Sequence, residues 1–384
     1  MNRIWDFVKA WADGLSLMIE TLLRALGRRS RQLKNLASGG DEEQNDLPTG
    51  KRLSGEKPRA LLFSVASHNL KMENTKRKIK ALALLSGGLD SMLAVKVLQE
   101  QGIGVTGLVF SSCFFDARQA QEAAKTLGVD LLIEDFSKKH LELVKNPPHG
   151  YGKNMNPCID CHALMFRLAG EIMRQEKFDL VATGEVLGER PMSQNKQSLG
   201  LIEKESGLAG YLLRPLSAKL LAPTISEQEG LVDRNRLLAI SGRQRTPQME
   251  LAKKYGIKNY PTPSGGCLLT VAEFSQKLKE LLDKYPQATS DDALLLKQGR
   301  QLWQGDIKFV VGRDHQENLT LEKLARAGDL LARAKNVPGP TVLVRSYRGK
   351  KPDRMGIESQ IKEYLVKYNS KARDREVKVE WLSG

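Results

Sequence analysis

Residues Ala81-Leu82-Ala83-Leu84-Leu85 run straight into Ser86-Gly87-Gly88-Leu89-Asp90-Ser91. Five apolar residues followed by a Ser-Gly-Gly turn predict a strand, a tight loop and a helix N-terminus in direct succession. Two glycines let the backbone approach an anion with no Cβ in the way. Ser86 and Ser91 add hydroxyl donors, and the first helical turn presents N–H groups that have no partner within the helix. The arrangement suits a pyrophosphate. It is not a Walker loop, because no Gly-Lys-Ser or Gly-Lys-Thr follows, and it is not the G-x-G-x-x-G of dinucleotide folds. The plain alternative is a Gly-rich turn with a Ser/Asp cap and no ligand.

Outward from this loop, short apolar runs alternate with helical periods. Ala81–Leu85, Val105–Phe110, Leu131–Ile133 and Leu180–Thr183 are the candidate strands. Ser91–Gln101 and Ala117–Leu127 are helical stretches closed by Gly102 and Gly128, each suited to the left-handed position that ends a helix. Strand and helix in repetition predict a parallel α/β sheet whose ligand sits beyond the carboxyl ends of the strands. A helix over Val271–Lys284, broken by Tyr285-Pro286, closes a domain read as residues 76–286. Residues 287–384 then form a smaller α+β domain. Residues 1–75 differ in character: Ile4–Leu26 is an amphipathic helical stretch, followed by the mildly basic Arg28–Lys57. We read them as a weakly packed extension, with a membrane- or partner-binding helix, or a translation start at Met72, as alternatives.

Composition bounds the partners. The 384 residues carry 60 Lys and Arg against 45 Asp and Glu, a net charge of +15 that favours a polyanion over an acidic small molecule. No apolar run approaches the roughly 20 residues needed to span a bilayer, and no secretory leader is evident, so a cytoplasmic protein is expected. Of the four cysteines, Cys158 and Cys161 form a C-x-x-C. In a reducing compartment that spacing suggests metal or sulfur chemistry before disulfides.

Ser86-Gly87-Gly88-Leu89-Asp90-Ser91 resembles the loop of the ATP pyrophosphatases (PP-loop proteins), which split ATP between its α and β phosphates and adenylate a substrate oxygen. Thr183-Gly184-Glu185-Val186-Leu187-Gly188, Ser193-Gln194 and Leu213-Arg214-Pro215-Leu216 narrow the resemblance to the nucleotide-binding domain of tRNA 4-thiouridine synthases, over roughly residues 78–270. The resemblance implies an adenine nucleotide alpha hydrolase-like α/β fold and ATP with magnesium. It implies pyrophosphate or magnesium contacts at Asp90 and Ser91, with Asp90 catalytic. An ATP pocket would be lined by Leu84, Leu85, Ser86, Gly87, Gly88, Phe110, Ser111, Gly184 and Gln194; the stretch before Gln194 is one residue longer than the pattern.

The thiols of Asn156-Pro157-Cys158-Ile159-Asp160-Cys161 precede a helix, near a positive dipole end that favours thiolates. Cys267, after Pro263-Ser264-Gly265-Gly266, lies 106 residues beyond Cys161, so only the fold can unite them. Three thiolates without a fourth suit a [4Fe–4S] cluster with one open iron, held by Cys158, Cys161 and Cys267. Similar sets occur in cluster-dependent tRNA thiolases. A persulfide route using Cys161 and Cys267 is the rival, since the Asn-Pro lead-in resembles the tRNA 2-thiouridine synthases and Cys267 the persulfide position of the 4-thiouridine enzymes; a structural zinc site is the plain alternative. Cys113 reads as a buried hydrophobe. His140, His149 and His315 stand alone in polar or loop surroundings and receive no chemistry. Asn146–Asn156 is either a flap over the site or a surface loop.

Phe309-Val310-Val311-Gly312-Arg313-Asp314-His315-Gln316-Glu317-Asn318, with Lys335-Asn336-Val337-Pro338-Gly339-Pro340 leading to Arg345, resembles the RNA-binding module of the ribosome quality-control (NFACT) proteins. The resemblance implies phosphate contacts at Arg313, Lys335, Arg345, Arg348, Lys350 and Lys351. The plain alternative is a solvated basic face. The expected activity is a tRNA sulfurtransferase that adenylates a uridine C4 or C2 oxygen and replaces it by sulfur from sulfide or a cysteine desulfurase. Matches to the position-8 and position-34 enzymes are mixed. A small-molecule synthetase and a non-catalytic RNA-binding adaptor are the rivals.

Overall fold

The computed structural model describes residues 78–261, 267–349, 352–373 and 375–382. The extension 1–75, Pro263–Gly266, Lys350 and Lys351 therefore lie outside the described residues.

The first sheet is parallel, with strand order β3-β2-β1-β4-β5. Its strands are β1 (Lys80–Leu84), β2 (Gly104–Ser111), β3 (Leu131–Asp135), β4 (Leu180–Thr183) and β5 (Leu212–Leu213). Helices α1 (Leu89–Glu100), α2 (Arg118–Leu127), α3 (Ser137–Lys145), α4 (Cys158–Gln175) and α5 (Lys196–Ser206) make the crossovers. Two apolar clusters sandwich the sheet, because alternate residues of one strand serve opposite faces: Ala81 and Ala83 pack with α1, while Leu82 packs with Phe166 and Ala169 of α4. β1 pairs with β2 on one side and β4 on the other, so the chain reverses its direction of travel across the sheet between β1 and β4. At such a switch point the loops part and leave a crevice beyond the strand ends.

After β5 come the short helix α6 (Ile225–Gln228), then α7 (Thr246–Lys254), α8 (Ala272–Lys284) and α9 (Ser290–Leu295). A second, antiparallel sheet follows in the order β10-β8-β9-β7-β6: β6 (Arg300–Gln304), β7 (Ile307–Val311), β8 (Leu330–Ala334), β9 (Val342–Ser346) and β10 (Val379–Leu382). Helix α10 (His315–Leu324) contributes Leu321 to one face of it and α11 (Arg354–Lys367) contributes Ile357, Ile361 and Leu365 to the other. Among the described residues no helix is long and apolar enough to cross a membrane.

Candidate active site

The Ser86–Ser91 loop leaves β1 at the switch point and enters α1. Gly87 has φ +85°, a left-handed value open mainly to glycine, and a Cβ there would stand closer than 3.0 Å to the Gln119–Ala120 backbone at the start of α2. Gly184, one residue past β4, is fixed by proximity: its Cβ would fall within 3.0 Å of the Asp90–Ser91 backbone. The loop is thus wedged between α2 and the end of β4. Its hydroxyls brace it from inside. Ser91 Oγ donates to the Gly88 carbonyl (2.7 Å) and Gly88 N–H donates to Ser86 Oγ (3.3 Å). No side chain caps the N-terminus of α1, whose first amides remain for a ligand.

Asp90 sits in that first turn with Oδ1 buried and without a hydrogen-bond partner. Burial raises its pKa, against the opposing pull of Arg245, whose guanidinium lies 3.6 Å from Oδ2, and of Gln248 and Arg190. Glu189 is likewise raised, by burial first and then by the Asp90 charge. Arg245 ends Ser241-Gly242-Arg243-Gln244-Arg245, held beside residues 187–188 by the Gly242 N–H to Leu187 carbonyl bond (2.7 Å). The sequence reading missed Arg245, Arg190 and Gln248. For Arg245 a signal was available: a pair of arginines just after Gly242 and the apolar Leu237–Ile240.

Of the expected nucleotide contacts, Leu84 and Ser111 are half-buried at the strand ends, whereas the Leu85 and Phe110 side chains are core residues. Those two can present only backbone to a ligand at that edge. Gln194 is buried in the turn after Gly188; its carbonyl accepts from Gly188 N–H (2.7 Å), and its side-chain Oε1 has no partner.

The fold brings the three cysteines to the same edge. Cys158 and Cys161 open α4, which begins at the carboxyl side of the sheet and descends into β4. Cys267 arrives from the far end of the domain, where Leu268 N–H meets the Phe114 carbonyl just beyond β2 (3.4 Å). Asn156 spans the set. Its Nδ2 donates to Cys158 Sγ (3.0 Å), and Cys267 Sγ donates to its Oδ1 (3.8 Å). Cys161 is buried and feels the charges of both other thiols. The expected thiolate character is not what the site produces: burial raises the pKa of all three, outweighing the helix end. Cys113, in the core beside Phe114, is pushed up to about 12 by burial.

A buried polar network links thiols and loop. His162, next to Cys161, meets Glu185 Oε1 through Nδ1 (3.1 Å), and Glu185, next to Gly184, accepts from Arg214 Nε at its other oxygen (3.0 Å). Arg214 also donates to Glu203 of α5 (2.8 Å). Arg214 holds Glu185 below the usual carboxylate range despite complete burial. The Arg190 charge is the smallest of the influences that lower the pKa of Asp90 and of Cys158.

Two histidines differ from the sequence reading. His140 is fully buried on α3, stacked on Phe136 (4.7 Å) and edge-on to Phe114 (5.0 Å). His149, in the 146–156 segment, meets Asp160 Oδ1 at Nδ1 (2.6 Å) and Glu205 Oε1 at Nε2 (3.2 Å). Asp160 lies between the two cysteines of the C-x-x-C, so this segment is tied to the thiol helix.

On the second sheet, Arg345 needs correcting. It is fully buried between Asp292 (2.9 Å) and Asp329 (2.7 Å), with no surface from which to reach a phosphate. Lys335 and Arg348 are exposed, Arg348 near Asp306 (3.5 Å), and Arg313 is exposed but paired with Glu317. The Gly-Arg, Asn and Pro-Gly elements meet one another: Asn318 donates to the Gly339 carbonyl (3.2 Å) and accepts from Thr341 N–H (2.9 Å), packed where Gly312 leaves no room for a Cβ.

Residues 79–225 match the model of the tRNA methyl transferase HUP domain. The chain is 23% identical over 280 residues to the tRNA-specific 2-thiouridylase MnmA of Listeria monocytogenes, covering 65% of this chain and 72% of that protein. It is 31% identical over 144 residues to the "Probable tRNA sulfurtransferase" of Finegoldia magna, 36% of each chain. A crystal structure of a 4-thiouridine synthetase–RNA complex with bound ATP aligns with TM-score 0.33 at 19% identity, over 56% of this chain and 53% of that one. Residues 79–225, with their phosphate loop at the switch point of a parallel sheet, thus match a HUP domain, and the chain is similar over part of its length to tRNA-thiolating proteins.

Proposed function

We propose that this chain is an ATP-dependent tRNA uridine thiolase, acting in the cytoplasm to form 4-thiouridine or 2-thiouridine. The observation that carries the reading is the continuity from Asp90–Ser91 through Gly184, Glu185 and His162 to Cys161. A phosphate loop and three thiols around one crevice are what a coupled adenylation and sulfur transfer requires.

ATP lies with its pyrophosphate on the Ser86–Ser91 loop. The uridine carbonyl oxygen attacks the α-phosphate, a P–O bond to the leaving pyrophosphate breaks, and the departing charge meets the α1 amides and Arg245. The buried, unpartnered Asp90 Oδ1 suits a magnesium ligand, which would screen the same charge. The adenylated carbon is then open to a sulfur nucleophile. A C–S bond forms, the C–O bond breaks, and AMP leaves with the uridine oxygen.

The donor set of Cys158, Cys161 and Cys267, thiols with no fourth protein ligand evident among the described residues, suits a [4Fe–4S] cluster. When bound, it would supply an iron with an open position for the sulfur donor. A persulfide on Cys267 resolved by Cys161 uses the same residues without a cluster. Lys335 and Arg348 are the exposed candidates for tRNA phosphates.

Asp90→Asn tests the reading, because it keeps the shape of the loop and removes the charge. ATP-dependent thiolation should vanish while tRNA binding persists. Undiminished thiolation in that variant would overturn the assignment.

A further inference from the structure

A groove of about 580 Å³ opens between the 146–156 segment and α8. Sites that take a small ligand commonly span roughly 300–1,000 Å³, so this one has room for a nucleotide. Its floor is apolar: Met155 and Leu282 pack on the same cluster as Phe114 and Cys267. One wall is the ring of Tyr151, which is 44% exposed. The Tyr151 hydroxyl donates to the Val144 carbonyl (2.5 Å), so the ring is pinned at its far end while its surface stays open. A side chain fixed in that way has already lost the rotamer freedom that a stacking partner would otherwise remove.

The groove ends beside the thiols. Asn154 Nδ2 donates to the Thr270 carbonyl (2.8 Å), and Thr270 donates to the Cys267 carbonyl through both its N–H (2.9 Å) and its hydroxyl (2.7 Å). One hydrogen-bonded turn therefore separates the groove from Cys267, and Met155 adjoins Asn156, which holds Cys158 and Cys267. Two lysines line the groove. Lys145 is paired with Glu142 (2.8 Å), whereas Lys279, exposed on α8, makes no ion pair among the described residues. Asp283, four residues beyond Lys279 on the same helix, also lines it, and its charge, after burial, raises the Tyr151 pKa. A planar apolar wall, a free cation and a carboxylate thus share one open space next to the thiol site.

We propose that this groove takes the nucleotide next to the target uridine of the RNA substrate, with its base against Tyr151 and its phosphate at Lys279. A uridine delivered to Cys267 brings its neighbour one phosphodiester link away, and the groove begins one turn away. A fixed aromatic ring stacks on any base, because each base has a π-face, and the ammonium of Lys279 pairs with the backbone. Asp283 offers an acceptor for a base amino group. Tyr151, Lys279 and Asp283 are all exposed, so a nucleotide reaches them without any opening of the fold. The surplus of 15 positive charges favours this polyanion over a segment of a protein partner. The site rests on the tRNA reading above and deepens it, because it names the part of the substrate held beside the reaction centre.

The test measures binding of unmodified tRNA to the full chain across a salt series. Tyr151→Leu should weaken binding about 5- to 20-fold, and Tyr151→Trp, which keeps a ring, by less than about 3-fold. Lys279→Gln, a surface change that breaks no ion pair, should reduce the slope of log affinity against log salt by about 1. Of two transcripts made abasic on either side of the thiolated uridine, one should bind the wild type as weakly as intact tRNA binds Tyr151→Leu, and the variant should lose nothing further on it. Unchanged affinity in Tyr151→Leu with an unchanged slope in Lys279→Gln would overturn the proposal. So would variants that bind tRNA normally yet lose thiolation only when a cysteine desulfurase replaces sulfide as the donor, because the groove would then dock a protein. If Tyr151→Leu does not fold, Lys279→Gln alone decides: a reduced slope supports the site, and an unchanged one rejects it. A chain that binds tRNA through Tyr151 and Lys279 but forms no thiouridine would sink the proposed function and leave this site standing.

Discussion

Asn156 and His140 show how much a single side chain decides here. Asn156 holds two of the three thiols through one carboxamide, so Asn156→Leu keeps its size and releases both. Outer contacts of this kind are commonly worth 10- to 100-fold in a site that must hold its ligands in register. We expect a fall of about that size in thiolation turnover with tRNA affinity unchanged; equal turnover would remove Asn156 from the machinery. His140 acts on stability alone. Burial lowers its pKa to about 4, against roughly 6.5 in the unfolded chain. Between those values the unfolded state takes up a proton that the folded state refuses, so stability is complete above about pH 6.5 and falls as pH drops toward 4, by on the order of 3 kcal/mol. Urea titrations at pH 7 and pH 4.5 measure the loss, which His140→Phe should reduce. Arg345→Met is the third case: removing the guanidinium takes the main counter-charge from Asp329 and one of two from Asp292, which keeps Arg326, a loss of about 3 kcal/mol in stability readable from denaturation.

At the scale of elements, the junction of β4 with α1 is the most sensitive. Gly184→Ala should displace the phosphate loop, because the new methyl meets the Asp90–Ser91 backbone, and ATP affinity measured by calorimetry should fall at least 10-fold with the fold retained. The 146–156 segment is held by His149 between Asp160 and Glu205. The hydrogen bond to Asp160, and then the two carboxylate charges, raise its pKa. A raised histidine contributes its full stabilisation below about pH 6.5 and loses it as pH climbs through the higher folded value, so amide exchange of this segment, corrected for intrinsic rate, should quicken on the alkaline side. Sequence periodicity was enough to find β4 to the residue and the helix ending at Gly128, because both are written in local apolar spacing and a left-handed glycine. It likewise put Gly102 at the left-handed position that closes the first helix, where Gly102 follows the Gln101 cap with φ +79°. The phosphate loop was legible for the same local reason. Arg245 and Asn156 were not, since each owes its meaning to a contact made across the fold: Arg245 to Asp90 and Asn156 to Cys267.

For the whole molecule, the surplus of 15 positive charges and the ordering of the site make one joint statement. A polyanionic substrate is drawn to a chain in which a phosphate loop and three thiols from two distant segments lie along one polypeptide. Cys267 shares no local sequence with the C-x-x-C pair, and only the parallel sheet, by returning α4 and the Cys267 segment to its carboxyl edge, brings the three together. The measurement that bears most directly on this is nucleoside mass spectrometry of unmodified tRNA incubated anaerobically with the full chain, ATP, magnesium and sulfide, with AMP and pyrophosphate quantified in the same reaction. A uridine with one oxygen replaced by sulfur, formed in equal amount to AMP and lost in Asp90→Asn, is the expected result. Pyrophosphate release with no thiolated nucleoside, or no dependence on tRNA, would contradict it.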